Sequence, residues 1–175
     1  MRNLFILVAL VLFVAAPTMA QETPKAELFG GYEYLRISGG NNCHGGGGNL
    51  AYNFKDWLGG VVDLAGCKVT GLPAGASVNA FNYLFGPRVS YRSYGSLTPF
   101  AQVLFGGERL GAGLTGFGSG SANAFAMTIG GGADYKFTEH VSFRGQAEYL
   151  YTHFAGSGQN NARIEAGIVY RWGAR

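Results

Sequence analysis

The segment from Arg163 to Trp172 alternates strictly between two kinds of side chain. One side is apolar and consists of Ile164, Ala166, Ile168, Tyr170 and Trp172; the other consists of Arg163, Glu165, Gly167, Val169 and Arg171. Because successive side chains leave a strand in opposite directions, this pattern predicts a strand with one apolar and one charged face. A membrane barrel accommodates both faces, since lipid lies outside and a polar lumen inside.

The same alternation recurs along the chain and predicts eight strands. They cover residues 26–36, 49–54, 57–66, 81–91, 99–107, 125–135, 141–151 and 163–172. The predicted connections alternate between long Gly-rich loops (38–48, 67–79, 108–121 and 153–161) and short turns. Long extracellular loops and short periplasmic turns are typical of an up-and-down transmembrane barrel. Pro87 predicts a local break or a bulge, because proline cannot donate a ladder hydrogen bond.

The apolar run from Leu4 to Ala16 predicts a secretory signal peptide. Arg2 precedes the run and small residues follow it, so we expect residues 1–20 to be removed between Ala20 and Gln21. The run is short for a membrane-spanning helix. The mature barrel domain is then expected to cover residues 21–175.

Composition and residue patterning argue against several other classes of protein. A soluble sandwich or lipocalin-like barrel would place its apolar face inward and its charges outward, and here the alternating faces end in aromatic residues suited to a membrane interface. The net charge of +3 comes from basic residues scattered singly, which does not favour nucleic-acid binding. No dinucleotide or phosphate-loop motif is present, so no cofactor is expected.

The last strand carries the most specific family signature. Glu165, Gly167, Tyr170 and Trp172 have the spacing of the C-terminal signal that the barrel-assembly machinery reads. The chain resembles the bacterial outer-membrane β-barrel superfamily, in particular the small eight-stranded barrels similar to the OmpA transmembrane domain and OmpX. The resemblance implies an outer-membrane location in a Gram-negative cell, contact with outer-membrane lipid, and a monomer. Because the sequence ends soon after the last predicted strand, we expect no peptidoglycan-binding domain of the kind found in OmpA.

Charged residues of both signs share the predicted lumen face. They are Glu33, Asp63, Arg88, Asp134, Arg144, Glu148, Arg163, Glu165 and Arg171. An eight-stranded barrel is just wide enough for side chains to fill it, so unpaired charges there would be costly. We expect a salt-bridged network that plugs the lumen; the alternative is a gate around Arg144 or Arg88 that opens a narrow water path.

Two cysteines, Cys43 and Cys67, fall in the first and second predicted extracellular loops. Because export passes through an oxidising compartment, we expect a disulfide between them. A metal site formed by Cys43, His44 and Cys67 is the alternative, although it lacks a fourth ligand.

Catalysis has one candidate, the His140-x-Ser142 spacing reminiscent of lipid A deacylases, with Glu139 or Glu148 nearby. A hydrolase needs its base within reach of the hydroxyl, and here His140 falls at the periplasmic turn, away from lipid A. We therefore expect no enzyme but a structural or surface-interaction protein with a possible extracellular partner at the loops. A narrow pore for small solutes and a lipid A-modifying enzyme remain as alternatives.

Overall fold

The computed structural model describes residues 23–38, 40–92, 95–116, 118–154 and 156–173. The predicted signal peptide and its cleavage site lie outside these residues. Within them, no helix is long and apolar enough to cross a membrane.

Eight antiparallel strands form a closed barrel in which each strand pairs with its sequence neighbours and β8 pairs with β1. The strands are β1 (Ala26–Arg36), β2 (Asn42–Asn53), β3 (Leu58–Thr70), β4 (Ala76–Ser90), β5 (Leu97–Leu114), β6 (Gly118–Lys136), β7 (Val141–Phe154) and β8 (Ser157–Trp172). The closing ladder runs from Ala26 paired with Trp172 to Arg36 paired with Ala162. The predicted fold class is therefore confirmed.

The barrel has two different ends. We call the end that carries connections 54–57, 91–96 and 137–140, together with residues 23–25 and 173, the turn end. The opposite end, with connections 37–41, 71–75, 115–117 and 155–156, is the hairpin end.

The prediction of long loops at the hairpin end is wrong, because most of their residues continue the strands. Gly45 to Gly48, for example, pair with both β1 and β3. Glycine has a low strand propensity on its own, but here two neighbouring strands supply hydrogen-bond partners. The chain reverses at glycines with positive φ, including Gly40 (99°), Gly116 (88°) and Gly156 (87°), where other residues would be strained.

Strands β5 and β6 extend furthest, with 18 and 19 residues. Residues 118–123 of β6 are exposed on both faces. Pairing between β6 and β7 starts only at Phe125 with His153, whereas β6 pairs with β5 up to Gly118. We call the segment of β6 from Gly118 to Ala124 the free edge, because within the described part of the chain it pairs with a strand on one side only.

The outward face between the two ends is apolar. Exposed side chains with aromatic rings mark its turn-end margin, among them Tyr52, Trp57, Tyr135, Tyr170 and Trp172. Tyr32, Tyr83 and Tyr149 are exposed further along the same face. Aromatic rings at both margins of an apolar band are typical of a barrel in a bilayer.

Pro87 interrupts the ladder without shifting it. Phe85 pairs with Phe105 and Arg88 with Gln102, so the register between β4 and β5 is the same on both sides of the proline. No extra residue is inserted, and the predicted bulge is wrong.

Candidate functional site

The candidate site is the interior of the barrel. All nine residues predicted to face the lumen are buried, each with no more than 6% of its surface exposed. The alternation of the strands places them there, because every second side chain of each strand points inward.

One arginine, Arg163 on β8, lies among several carboxylates. Its guanidinium donates to Asp63 Oδ1 at 2.8 Å and to Glu148 Oε2. Glu33 and Glu165 lie at 3.7 and 3.6 Å from it. Four strands thus converge on one cation, and each carboxylate depends on Arg163 for its compensation in a medium of low dielectric constant.

A second cluster lies nearer the turn end. Arg144 forms a two-pronged ion pair with Asp134, with distances of 2.6 and 2.8 Å, and Arg171 donates to the same carboxylate at 2.8 Å. Arg144 also donates to Glu27 at 3.1 Å. Arg92 completes the cluster at 2.6 Å from Glu27. The fork shape of arginine suits such shared contacts, since one guanidinium can serve two carboxylates.

Two neutral amides connect the clusters. Asn49 accepts hydrogen bonds from Arg88 at 3.2 Å and from Arg144 at 3.1 Å. Gln102 accepts from Arg88 at 2.8 Å and donates to Glu148 at 2.5 Å. Apart from Glu108, the buried charges therefore form one connected network, in which removal of a member affects partners on several strands.

Two phenylalanine rings line the same space. The guanidinium carbon of Arg88 lies 4.5 Å from the centre of the Phe100 ring, and that of Arg144 lies 4.6 Å from it. Phe29 is 5.4 Å from Arg144. A cation over an aromatic face is stabilised by the ring quadrupole, so these rings support the arginines where water would otherwise solvate them.

Several buried polar residues of the lumen were not among the nine predicted from the sequence. Glu27 and Glu108 are buried acids, and Asn49 and Gln102 are the connecting amides. Glu27 shares the lumen face of Glu33, and both amides alternate with apolar residues, so the signal was present in the periodicity. Arg88 contacts none of the other eight predicted residues by an ion pair; its acidic neighbour is Glu27, at 3.9 Å.

The hairpin end of the lumen is filled differently. Leu35, Cys43, Cys67, Val69 and Ala80 are buried there in an apolar cluster that continues through Leu84, Leu104, Ala126 and Leu150. Ile37, Leu72, Val78 and Leu110 pack against it. We call this group the apolar cap. The cap lies between the network around Arg163 and the hairpin end, and the buried Asn82, Glu108, Thr128 and Thr152 alternate with its members.

Cys43 and Cys67 lie within this cap and not in loops, which corrects their predicted location. They belong to the neighbouring strands β2 and β3, their Cα atoms are 5.5 Å apart, and the structure joins them as a disulfide. His44 points outward, away from both sulfurs, as alternation requires. Among the described residues, no group of three His, Cys, Asp or Glu side chains is arranged to hold a metal ion.

The structure separates His140 from Ser142. His140 lies in the connection 137–140 and stacks on Tyr170 outside the barrel, with ring centres 6.1 Å apart. Ser142 is buried in the lumen. The two side chains therefore lie on different sides of the barrel wall and do not form a nucleophile and base.

The family is decided by comparison with known proteins. A model of the outer membrane protein beta-barrel domain matches residues 6–171, which is nearly the whole chain. The chain belongs to this family of outer-membrane barrels. No curated protein sequence matches it.

Solved structures share the fold of this outer-membrane barrel. Neisserial surface protein A (NspA) has a TM-score of 0.75 at 14% identity, covering 85% of this chain and 97% of that one. Ail, the attachment invasion locus protein of Yersinia pestis, has a TM-score of 0.57 at 16% identity, with 85% and 99% covered. The N-terminal barrel of Pseudomonas aeruginosa OprF gives 0.54 at 14% identity, with 86% and 100% covered. This barrel is therefore located in the outer membrane.

Proposed function

We propose that this outer-membrane barrel is a closed scaffold whose hairpin end meets a partner at the cell surface. The observation that carries the proposal is the height of β5 and β6. A tilted strand crosses a bilayer with about 9 to 11 residues, whereas these strands have 18 and 19. The remaining residues of both strands therefore extend beyond the membrane.

The orientation follows from the two ends. Both chain ends lie on the periplasmic side of barrels of this kind, and the strand segments that extend beyond the bilayer lie outside the cell. The hairpin end is accordingly the extracellular end, and the free edge from Gly118 to Ala124 faces the surroundings of the cell. The free edge has no charged residue and no proline, which are the features that block strand addition. An extended peptide segment of a partner could pair with it.

Two relatives are consistent with a role at the surface. NspA is named a surface protein, and Ail has been crystallised with the heparin analogue sucrose octasulfate. At the low identity reported above these names do not transfer a ligand. They do make a sulfated polysaccharide a reasonable first probe.

Shortening the hairpin formed by β5 and β6 tests the surface role. Leu110 and Ala122 are register partners, so residues 111–121 can be replaced by Asn-Gly, the sequence favoured in two-residue hairpin turns. Non-adherent Gram-negative cells that produce the full-length barrel should bind heparin-coated wells or epithelial monolayers more than cells with the trimmed barrel. Heat-modifiable migration in a gel controls for folding of both. Equal adhesion by the two strains and by cells without the protein would count against the proposal.

The closed lumen is tested by electrical recording. The network around Arg144 and the apolar cap support a barrel that does not conduct, since ions would have to displace buried ion pairs and cross a packed apolar layer. Purified protein in planar bilayers should give no current steps, and neither should Arg144→Gln. Reproducible steps from either protein would favour the alternative, a narrow pore for small solutes.

Assembly of the barrel is proposed to depend on the end of β8 and to give a monomer, because a closed barrel leaves no unpaired strand within the membrane. Tyr170 and Trp172 face outward with ring centres 6.0 Å apart, which suits recognition by the barrel-assembly machinery. Substitution of both by alanine should reduce the amount inserted in cells. Tyr135→Ala, which removes an outward aromatic at the same end of β6, is the control.

A further inference from the structure

The outward face near the hairpin end carries basic residues and, in the described part of the chain, no acidic ones. Arg36, Lys68 and Arg109 are exposed there, together with His44 and His153. Of the described carboxylates, those on strands are all buried, and the remaining two, Asp56 and Glu139, lie in turn-end connections. In the described part of the chain, this surface therefore presents cations without any compensating acid.

Three of these residues form one patch on β1 to β3. His44 pairs in register with Lys68 on one side and with Tyr34 on the other. Tyr32 is hydrogen-bonded to the His44 ring. In the next row, Arg36 donates to Asn42 Oδ1 at 2.8 Å, and Tyr34 donates to the same oxygen at 2.9 Å. These contacts fix the positions of the His44 and Arg36 side chains in the absence of a ligand.

The patch lies at the expected edge of the membrane. From Leu58 at the turn end of β3, Lys68 is reached after about 11 residues, the length with which a tilted strand crosses the hydrocarbon layer. Lys68 and His44 therefore stand at the level of lipid headgroups.

A strip without side chains leads down from the patch into the membrane. Gly46 and Gly66 are register partners on the outward face, two residues below His44 and Lys68. Tyr32 pairs with Gly46 and Phe81 with Gly66, so one ring flanks the strip on each side. The next row continues with Gly48 paired to Gly30. The result is a shallow groove with aromatic walls that opens toward lipid.

We infer that this patch and groove bind a phosphorylated lipid of the outer leaflet, namely lipid A. A phosphate would accept hydrogen bonds from Lys68, His44 and Arg36, and an acyl chain would lie in the glycine strip between Tyr32 and Phe81. The occupant must reach from hydrocarbon to the headgroup level, which a lipid does and a soluble polyanion does not. The assignment to lipid A takes the hairpin end as the extracellular end.

Lipid binding by the purified barrel in phosphatidylcholine nanodiscs tests this site without any surface partner. The probes are bisphosphorylated lipid A, dephosphorylated lipid A, phosphatidylglycerol and the deacylated phosphorylated disaccharide, with native mass spectrometry as the readout. Each cation near an anionic lipid is worth about a factor of five, so Arg36→Gln with Lys68→Gln should weaken lipid A binding about thirtyfold. Gly66→Leu should weaken it as well by filling the groove. Arg109→Gln and Lys136→Gln, which remove exposed cations elsewhere, should leave it unchanged.

Three outcomes would overturn the assignment. Equal retention of lipid A by the wild type and the double variant would remove the cationic patch from the site. Binding of the deacylated disaccharide as tight as that of lipid A, with no effect of Gly66→Leu, would indicate a soluble polyanion site. Tighter binding of phosphatidylglycerol than of lipid A would indicate an inner-leaflet phospholipid. Heat-modifiable migration of every variant confirms that the barrel is folded, and none of these results depends on cell adhesion.

Discussion

The two halves of the barrel interior are filled by opposite kinds of chemistry. The charged network places carboxylates and arginines in mutual contact, and a few buried apolar side chains, among them Phe29, Phe100 and Val169, lie between them. The apolar cap consists of hydrocarbon side chains and two cysteines, and the buried Asn82, Glu108, Thr128 and Thr152 lie among them. The difference shows that an eight-stranded lumen can be filled either by a network of ion pairs or by apolar packing. The network is specific in its partners, whereas the cap depends on volume.

Removing the cation that most carboxylates share should have the largest effect. Arg163→Ala leaves Asp63 and Glu148 buried without their ion-pair partner, and loss of one member of a buried pair costs about 3 to 5 kcal/mol. The free energy of unfolding in urea, measured on barrels in lipid vesicles, should fall by that amount. Arg109→Ala, at an exposed arginine, should change it by less than about 0.5 kcal/mol. If both variants lose the same stability, the network does not hold the barrel together.

Creating a void in the cap should have the next largest effect. Leu104 is fully buried, so Leu104→Ala should lower the free energy of unfolding by about 2 to 5 kcal/mol. Leu114, on the same strand, has 46% of its surface exposed, and Leu114→Ala serves as the control. The same unfolding experiment applies, and a cost below 1 kcal/mol at Leu104 would mean that the cap is loosely packed.

Opening the disulfide tests the cap by a different route. Replacement of Cys43 and Cys67 by alanine should cost about 2 to 4 kcal/mol, chiefly because the unfolded chain gains freedom. A reducing agent should destabilise the wild type to a similar extent and leave the double variant unaffected. Thiol labelling of unfolded, unreduced protein should find no free cysteine; two reactive thiols would contradict the pairing.

A single methyl group in the network half should have the smallest effect of the four. A Cβ on Gly31 would meet the backbone oxygen of Ala166 and lie 2.8 Å from the Phe29 ring, which faces Arg144. Overpacking of this kind costs about 1 to 3 kcal/mol. Gly30, the next residue toward the turn end, has nothing within 4 Å of its Cβ position, so Gly30→Ala should be nearly neutral. Equal unfolding curves for the two variants would mean that the interior yields easily around Phe29.

Much of this architecture could be predicted from alternation alone. The inward or outward direction of Arg163, Glu165, Tyr170 and Trp172 follows from a period of two, which any strand obeys. The strand ends at the hairpin end could not be predicted, because Gly45 to Gly48 form a ladder only when β1 and β3 are already beside them. The same holds for Cys43, which composition assigned to a loop.

The sequence also does not predict which residues contact one another within the network. Alternation places Arg88 and Glu148 on the inner face but does not say that Gln102 lies between them, since that depends on how far each strand is shifted along its neighbour. Glu27 lies on the same inner face as Glu33, so alternation alone was sufficient to predict its position.

The pairing of Ala26 with Trp172 has a practical consequence for engineering. The first and last strands begin and finish side by side, so any polypeptide joined before β1 or after β8 emerges on the same side of the membrane. A short linker between the two would therefore permit circular permutation, with new ends placed between β5 and β6 at the exposed Thr115 and Gly116. Such a permutant would display both of its ends on the opposite side of the bilayer.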